Sequence, residues 1–323
     1  MTATADATFD LLVVGEINPD IIVYQPGLVP TFGQVELVVD QIRLEVGSSS
    51  AIVACGAARL GLRVAFVGVV GDDAFGRFML DALRDRGVDV EACRIEPNIP
   101  TGATVILARD DDRAILTARG AMDRLTATDV QPGLVANTRH LHVGSLFLQP
   151  GLAAGLVDLF RSARDTGTTT SLDTNWDPSG DWGGELRSIL AQTDLFLPNV
   201  AELTALTGDP DPTTAARSLL DRLAPGGTVA VKRGRDGGLA VRGRDLVSLP
   251  AAAVRVVDAT GAGDSFDAGM IAGLIEGASL DAALRLAIAC GSLSARAVGG
   301  TDAQPDRAEA LATAGTLAPP ART

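Results

Sequence analysis

The sequence is poor in the residues that most often build metal centres and hydrolytic sites. Two histidines and three cysteines occur in 323 residues, and the cysteines lie far apart without CxxC spacing. We therefore expect neither structural zinc nor a disulfide framework, and a reduced, cytoplasmic setting is the simplest one. His140 and His142 lie two apart in an apolar run and point to one face of a strand, so we assign them no catalytic role.

Positive charge and export signals are also scarce. The chain has 27 Lys and Arg against 40 Asp and Glu, a formal net charge of −13, which argues against nucleic acid or an anionic membrane as the main partner. No apolar run approaches the roughly 18 residues that span a bilayer. The first ten residues lack the basic and apolar regions of a secretory signal. A Walker A loop is missing, and no GxGxxG follows the first strand-like run, which argues against a dinucleotide oxidoreductase.

What the chain does have is a regular alternation of strand-like and helix-like segments. The strand-like runs are residues 11–14, 64–70, 140–143, 169–172, 195–197 and 229–231. The helical patterns are residues 51–60, 74–86, 152–165, 201–206, 213–223 and 281–297. This alternation predicts an α/β fold with a mainly parallel central sheet covered by helices on both faces. Ligands of such sheets bind beyond the carboxyl ends of the strands.

Two segments interrupt that rhythm. Residues 21–46 alternate without a helical pattern, and the strand-like runs 104–108 and 114–117 flank an acidic turn, which is better explained as a solvated hairpin than as a metal site. We predict that about 18–46 and 98–120 form a small β-sheet that acts as a lid. The lid would belong to a single domain at 9–310, followed by a mobile tail at 311–323.

The most informative segment is residues 258–269, DATGAGDSFDAG. An apolar, strand-like run at 252–257 leads into a turn in which Gly261 and Gly263 allow close approach of the backbone to a ligand. The turn opens a helix, whose N-terminus favours an anion and lowers the pKa of a carboxylate in its first turn. Asp264 is therefore predicted to be ionised beside a bound phosphate, although an Asp at this position can also merely cap a helix. The pattern indicates phosphorylation of a hydroxyl group.

Five further segments occur in a fixed order along the chain. They are residues 15–20 (GEINPD), 47–51 (GSSSA), 67–76 (VGVVGDDAFG), 198–202 (PNVAE) and 231–234 (VKRG). Together with 258–269 they resemble the ribokinase-like (PfkB) carbohydrate kinases over residues 9–305. The resemblance implies a three-layer α/β/α sandwich with a β-sheet lid. It also implies transfer of the γ-phosphate of ATP to a hydroxyl of a small sugar, with Mg²⁺ as cofactor.

The resemblance also assigns roles to individual residues. Asp264 matches the general base, and the anion hole matches Gly261, Ala262 and Gly263. The substrate-binding positions match Asp20, Gly47, Ser48 and Asn175. The nucleotide-binding positions match Asn199, Lys232, Gly234 and Thr260, although Lys232 by itself reads equally well as a surface charge. Glu202 completes an NxxE motif that organises Mg²⁺ largely through water, and Asp258 resembles a residue of the K⁺ loop that some members use, whose other half would fall near 297–301.

Several positions depart from the family pattern. Ile52 stands where an Asn usually binds the sugar, Ser48 replaces the second of two paired glycines, and Ile288 replaces a frequent Asn near the nucleotide base. Trp176 follows Asn175 where a shorter polar residue is common. The loss of one neutral hydrogen bond, about 0.5–1.5 kcal/mol, shifts specificity without abolishing binding.

These departures leave the acceptor open. Ribose, fructose, a ketodeoxy sugar acid and a nucleoside are all compatible with the residues. A nucleoside kinase of the same fold and a catalytically silent sugar- or nucleotide-binding regulator are the alternatives to a sugar kinase. Alternating apolar residues at 37, 39, 42 and 44 favour a homodimer through the lid.

Overall fold

The structure is a computed structural model that describes residues 7–109 and 112–318. Elements are numbered in chain order within these residues. The strands are β1 (Phe9–Val14), β2 (Pro19–Tyr24), β3 (Gln41–Val46), β4 (Val64–Val67), β5 (Val69–Gly71), β6 (Val88–Asp89), β7 (Arg94–Glu96), β8 (Ala103–Arg109), β9 (Asp112–Ala118), β10 (Thr138–Val143), β11 (Thr169–Leu172), β12 (Leu195–Phe196), β13 (Thr228–Lys232), β14 (Gly238–Arg242) and β15 (Asp245–Leu249). The helices are α1 (Ser49–Arg59), α2 (Ala74–Asp85), α3 (Pro132–Ala136), α4 (Pro150–Asp165), α5 (Glu185–Leu190), α6 (Val200–Thr207), α7 (Pro212–Leu220), α8 (Ala262–Ile275), α9 (Leu280–Ser294) and α10 (Arg307–Thr316).

A nine-stranded sheet forms the centre of the molecule. Its order is β15-β14-β13-β12-β11-β10-β1-β4-β6. The pairs from β6 to β13 are parallel, whereas β14 and β15 join antiparallel at one edge. The predicted mainly parallel sheet is therefore confirmed, and the carboxyl ends of the parallel strands meet along one edge of it.

Helices cover both faces of this sheet, because successive side chains of a strand point to opposite sides. On β1, Leu11 and Val13 pack with α1, α2, α8 and α9 in one core. Leu12 and Val14 of the same strand pack with α4, α5 and α7 in a second core on the other side. The predicted three-layer α/β/α sandwich is confirmed by these two cores.

A separate four-stranded sheet stands over the carboxyl end of the central sheet. Its order is β3-β2-β8-β9, with β2 and β8 parallel and the two outer pairs antiparallel. Its strands fall within the two segments from which the sequence predicts a lid, and we call it the lid. Part of the acidic turn between β8 and β9, residues 110–111, lies outside the described residues.

Two predicted strands are wrong. Residues 64–70 form two short strands instead of one, and β5 leaves the central sheet to pair with β7. The break falls at Gly68, where a Cβ would lie 2.6 Å from Cδ1 of Ile17. Residues 252–257 form no strand at all, and the amide of Ala252 donates to the Ser292 hydroxyl on α9 instead of to a neighbouring strand.

The C-terminal part of the chain is helical further than the sequence suggests. Residues 311–316 continue α10, in which Ala310 and Ala314 are buried, instead of starting a tail. Residues 319–323 lie outside the described residues. Across the described ranges, every helix is too short or too polar to cross a lipid bilayer.

Candidate active site

A cavity of about 230 Å³ lies between the lid and the carboxyl ends of β1, β10 and β11. The N-terminal ends of α1 and α8 complete its wall. Of the residues predicted from the sequence, the cavity is lined by Asp20, Ser48, Asn175, Thr260, Gly261 and Asp264. The fold therefore brings together residues that lie more than 240 positions apart in the chain.

Asp264 lies in the first turn of α8, as predicted, but its protonation differs from the prediction. Burial, and after it the neighbouring carboxylate of Asp173, raise the pKa of Asp264 to about 7. The expectation that the helix N-terminus lowers this pKa is therefore wrong, because loss of water and like charge outweigh the helix dipole. A carboxylate with a pKa near 7 is suited to accept a proton at neutral pH.

The turn before Asp264 depends on the absence of a side chain at its N-cap. Gly261 adopts φ +70°, and a Cβ on it would lie 2.7 Å from Cα of Gly300 and 3.1 Å from Cγ2 of Ile52. No other residue type tolerates both the left-handed backbone and this crowding. At the start of α8 the amide of Ala262 donates to the Ala259 carbonyl at 3.2 Å, whereas the structure records no backbone acceptor among the described residues for the amides of Gly263 and Asp264, where an anion would bind.

The side chain of Asp258 holds this turn by accepting hydrogen bonds from two backbone amides and one hydroxyl. Its Oδ1 accepts from the amide and the hydroxyl of Thr260, at 2.9 and 2.8 Å, and its Oδ2 accepts from the amide of Gly299 at 3.0 Å. The two halves of the proposed K⁺ loop, 258 and 297–301, are thus adjacent. Arg113 from the lid donates to the Thr260 hydroxyl at 3.0 Å, which connects the lid to the same turn.

The opposite wall of the cavity carries Asp20 on β2. Burial raises its pKa to about 7, although the nearby Arg113 guanidinium partly offsets the effect. Gly47 makes room for this carboxylate, because a Cβ there would lie 2.2 Å from Asp20 Oδ1. Ser48, at φ 68°, uses its hydroxyl as the N-cap of α1: it donates to the Glu16 carbonyl at 2.6 Å and accepts from the Ala51 amide at 3.0 Å.

Asn175 follows β11 with a left-handed backbone, φ 54°. Its amide donates to Asp173 Oδ1 at 3.0 Å, and its side chain contacts the Ser145 hydroxyl at 3.4 Å. Ser145 is itself left-handed at φ 48°. Strained residues of this kind are concentrated at functional sites.

Asn199 and Glu202 form a capping box at the start of α6. Asn199 Oδ1 accepts from the Glu202 amide, and Glu202 Oε2 accepts from the Asn199 amide, both at 2.9 Å. Burial and the carboxylate of Asp173 raise the pKa of Glu202 to about 7. A backbone bridge joins Asn199 to Lys232 at the end of β13, and Gly234 opens a short 3₁₀ turn just beyond it.

Lys232 is not a surface charge. Its Nζ donates to Asp173 Oδ2 at 2.7 Å and to Asp267 Oδ2 at 3.0 Å, and little of its side chain is exposed. The other partner, Asp267, is a fully buried carboxyl group in α8 that was not among the predicted site residues. The signal was present, since Asp267 is the single charged residue in the otherwise apolar stretch 266–275.

Glu16 is a second buried acid that the sequence analysis did not single out. It accepts from the Ser50 hydroxyl at 2.6 Å and from Gln149 Nε2 at 3.1 Å, and burial raises its pKa. It thereby ties the end of β1 to the N-terminus of α1 and to the start of α4.

The two histidines behave as structural residues. His140 and His142 are buried, and their rings hydrogen-bond to the hydroxyls of Thr169 and Ser171 on the adjacent strand. Burial lowers the pKa of His140 to about 3 and that of His142 to about 4, so both are neutral at pH 7.

Comparison with known proteins agrees with this geometry. The family model described as pfkB family carbohydrate kinase matches residues 8–307, nearly the whole chain. This chain belongs to the pfkB family of carbohydrate kinases.

Relatives within the family act on different acceptors. A 2-dehydro-3-deoxygluconokinase of Bacillus subtilis (strain 168) is 32% identical over 269 residues, covering 79% of this chain and 82% of the relative. A fructokinase of Klebsiella pneumoniae is 32% identical over 274 residues, covering 80% and 88%. The ribokinase of Arabidopsis thaliana, solved in complex with ribose and ATP, superposes with a TM-score of 0.83 at 27% identity, covering 95% of this chain and 98% of that one.

The residues that depart from the family pattern differ in whether they line the cavity. Ile52 is buried and lines it, where it packs against Gly261 and Gly300. Ile288 does not reach the cavity and packs against Gly238 of β14. Trp176 is half exposed and stacks edge-on against Trp182 instead of lining the cavity. Of these three residues, Ile52 is therefore the one placed to act on the acceptor.

Proposed function

We propose that this pfkB family member transfers the γ-phosphate of ATP to a hydroxyl of a small sugar, with Asp264 as general base. The observation that carries the proposal is the position of Asp264, on the cavity wall, in the first turn of α8 and with its pKa raised to about 7. A base poised near the working pH typically contributes about 10²–10⁴ in rate.

The acceptor would be oriented by the wall opposite the base. Asp20 can accept hydrogen bonds from two adjacent hydroxyls, and Asn175 can donate to or accept from a third. Asp264 then takes the proton of the attacking hydroxyl, while the amides of Gly263 and Asp264 donate to the transferring phosphoryl group, and the Ala262 amide would join them by leaving the Ala259 carbonyl. The cavity volume of about 230 Å³ lies below the range of drug-sized pockets, which favours a single sugar ring over a nucleoside.

The nucleotide would lie on the other side of the anion hole, along Thr260, Gly234 and Asn199. The donors there fit Mg²⁺, which prefers oxygen ligands and keeps several waters. Both carboxylate oxygens of Glu202 already hold Asn199, so Glu202 would act on the ion through water. When bound, ATP supplies the phosphoryl group and Mg²⁺ neutralises phosphate charge. We also propose K⁺ as an optional ligand of the loop formed by Asp258 and 297–301.

The outer face of the lid suits a second copy of this chain. The pairing register places Leu44, Ile21, Val105 and Leu116 in one row across the four strands. The outer two of these side chains, Leu44 and Leu116, are 42% and 59% exposed. We infer a homodimer in which this apolar face is covered, because such a face is otherwise an aggregation liability.

The experiment is ADP release with Mg²⁺-ATP across a panel of sugars, sugar acids and nucleosides, with K⁺ or Na⁺ as the monovalent salt. Asp264→Asn is the matched blank. An acceptor-dependent signal that the variant lacks would support the proposal and name the acceptor class. Equal turnover in both proteins would reject Asp264 as the base. If no acceptor causes ADP release although ATP still binds, the catalytically silent sugar- or nucleotide-binding regulator is favoured.

A further inference from the structure

We call the group formed by Asp173, Lys232, Asp264 and Asp267 the floor of the site. It contains one ammonium group among three carboxyl groups. Lys232 Nζ lies 2.7 Å from Asp173 Oδ2 and 3.0 Å from Asp267 Oδ2. One oxygen each of Asp173, Asp264 and Asp267 lie within 4.8 Å of one another. Three carboxyl groups this close cannot all be ionised without a cation, and Lys232 is already in place as that cation.

The stem of Lys232 also supports the anion hole from below. A Cβ placed on Gly263 would lie 3.4 Å from Cδ of Lys232, so the side chain passes directly beneath that residue. Its two partners come from different elements, Asp173 from the end of β11 and Asp267 from the second turn of α8. Lys232 therefore clamps α8, which carries the base, to the carboxyl ends of β11 and β13.

Both hydrogen bonds that the structure records for the Lys232 ammonium go to carboxyl groups inside the protein, and the side chain is 11% exposed. Burial disfavours the ammonium, but Asp173, Asp267 and Glu202 outweigh it and raise the pKa of Lys232 above its ordinary value. The lysine is thus permanently charged. Transferring it to a nucleotide phosphate would leave Asp173 and Asp267 buried without their cation, which is strongly unfavourable.

We propose that Lys232 is a positioning residue that serves as the fixed counter-cation of the catalytic base, acting through the floor of the site instead of binding the nucleotide. This inference rests on the proposed function of Asp264. The ionisable groups that face Asp264 are Glu16 from the end of β1, Asp173 from β11, Lys232 from β13 and Asp267 from α8. Glu202 from α6 faces the same ammonium.

The signs of the expected effects follow from these charges. The Lys232 ammonium lowers the pKa of Asp264, whereas the Asp173 carboxylate raises it. Removing the ammonium in Lys232→Met should therefore move the titration of Asp264 to higher pH, by about one unit, which is tenfold in the protonation constant. Removing the carboxylate in Asp173→Asn should move it to lower pH. A purely structural role would not produce shifts of opposite sign.

The titration can be read directly by ¹³C NMR of the full chain labelled at aspartate side-chain carboxyls. The Asp264 resonance is identified by its absence from Asp264→Asn, and glutamates, including Glu202, remain invisible. Lys232→Arg keeps the charge and should restore the wild-type titration midpoint. Arg242→Met is the control, because Arg242 is a part-buried cation bonded to Thr228 at the far end of the neighbouring strand.

Kinetics and nucleotide binding give the second readout. In Lys232→Met we expect kcat at pH 7 to fall about fivefold and to recover by about pH 9, while the calorimetric Kd for ATP stays within about threefold. A Kd that rises tenfold or more with an unmoved Asp264 titration would make Lys232 a nucleotide ligand and overturn the proposal.

Two safeguards keep the test decisive. If Lys232→Met does not fold, Lys232→Gln replaces it: an upward shift of the Asp264 midpoint supports the proposal, and an unmoved midpoint rejects it. Failure of the proposed function looks different, because Asp264→Asn would then turn over normally whatever the lysine does.

Discussion

The floor of the active site and the lid above it are built in opposite ways. In the floor, Asp173, Lys232 and Asp267 are charged or polar groups removed from water, each fixed by a partner on another element. In the lid, apolar side chains face outward, with Ile42 65% and Leu116 59% exposed. The floor is thus held by its own contacts, whereas the lid needs something to cover it. In the proposed function, reaction chemistry belongs to the first region and closure over the acceptor to the second.

The largest effect on turnover should come from replacing Asp264, the proposed general base. Asp264→Asn removes the proton acceptor but keeps the shape of the side chain, so we expect kcat to fall by about 10²–10⁴. Calorimetry should give an ATP affinity within a few-fold of wild type, because the anion hole is made of amides. Loss of ATP binding together with turnover would show that the substitution had damaged the turn instead.

A pair of glycines at the two ends of α8 tests how rigid the floor is. Gly277→Ala should cost about 1–2 kcal/mol, because Gly277 has φ +79° and open space around its Cα. Gly261→Ala carries the same backbone penalty plus the clash with Gly300, about 1–3 kcal/mol more.

Chemical denaturation of both variants measures this difference, and turnover should fall only in Gly261→Ala. Equal stability losses would mean that the backbone near Gly300 yields easily. The floor would then be less rigid than its contacts indicate.

The pH dependence sharpens the comparison further. Asp264 must be ionised to accept a proton, and its pKa is raised to about 7. Turnover should therefore be constant above about pH 8 and fall by up to about tenfold per pH unit below about pH 6. In kcat/KM the fall should be steeper, because the pKa values of Asp20 and Glu202 are also raised to about 7. A profile that stays flat to pH 5 would contradict the buried environment of Asp264.

The smallest effect on chemistry should come from the outer face of the lid. Leu116→Ser lies on the face away from Asp20, so kcat at saturating acceptor should change less than about threefold. The stability of the dimer should change more. Light scattering should show that the Leu116→Ser dimer dissociates at a higher protein concentration than the wild-type dimer does. Thr128→Ala, a polar change outside the lid, is the matched control. A wild-type protein that is monomeric at micromolar concentration would remove the inferred dimer.

Much of the fold is readable from the sequence because it depends on local patterns. Apolar strands alternating with helices predict the central sheet, and the glycines of 258–269 predict the turn before α8. The errors arise where a segment's partner decides its structure. Residues 252–257 are apolar enough for a strand but find a helix instead of a strand beside them. Residues 64–70 are split at Gly68, beyond which β5 pairs with β7 instead of with the central sheet.

In the candidate site, too, residue positions follow from local patterns, whereas pKa values and side-chain partners depend on residues distant in the chain. Asp20, Asn175 and Asp264 line one cavity, and their positions follow from motif and strand order, whereas their roles stay predictions. The pKa of Asp264 was not predictable, because it depends on burial and on Asp173, 91 positions earlier in the chain. Lys232 was likewise ambiguous, since no local pattern shows that two acids enclose it.

The segment after α9 is synthesised after all the predicted catalytic residues, yet it makes contacts that hold the site together. Gly299 donates to Asp258, and Gln304 donates to the Ile52 carbonyl at 2.9 Å and to the Ser265 hydroxyl at 3.1 Å. These bonds fasten together the two helices that carry the acceptor wall and the base. A nascent chain on the ribosome therefore holds every predicted catalytic residue before it holds a working site. We therefore expect turnover only after Gln304 has docked between α1 and α8.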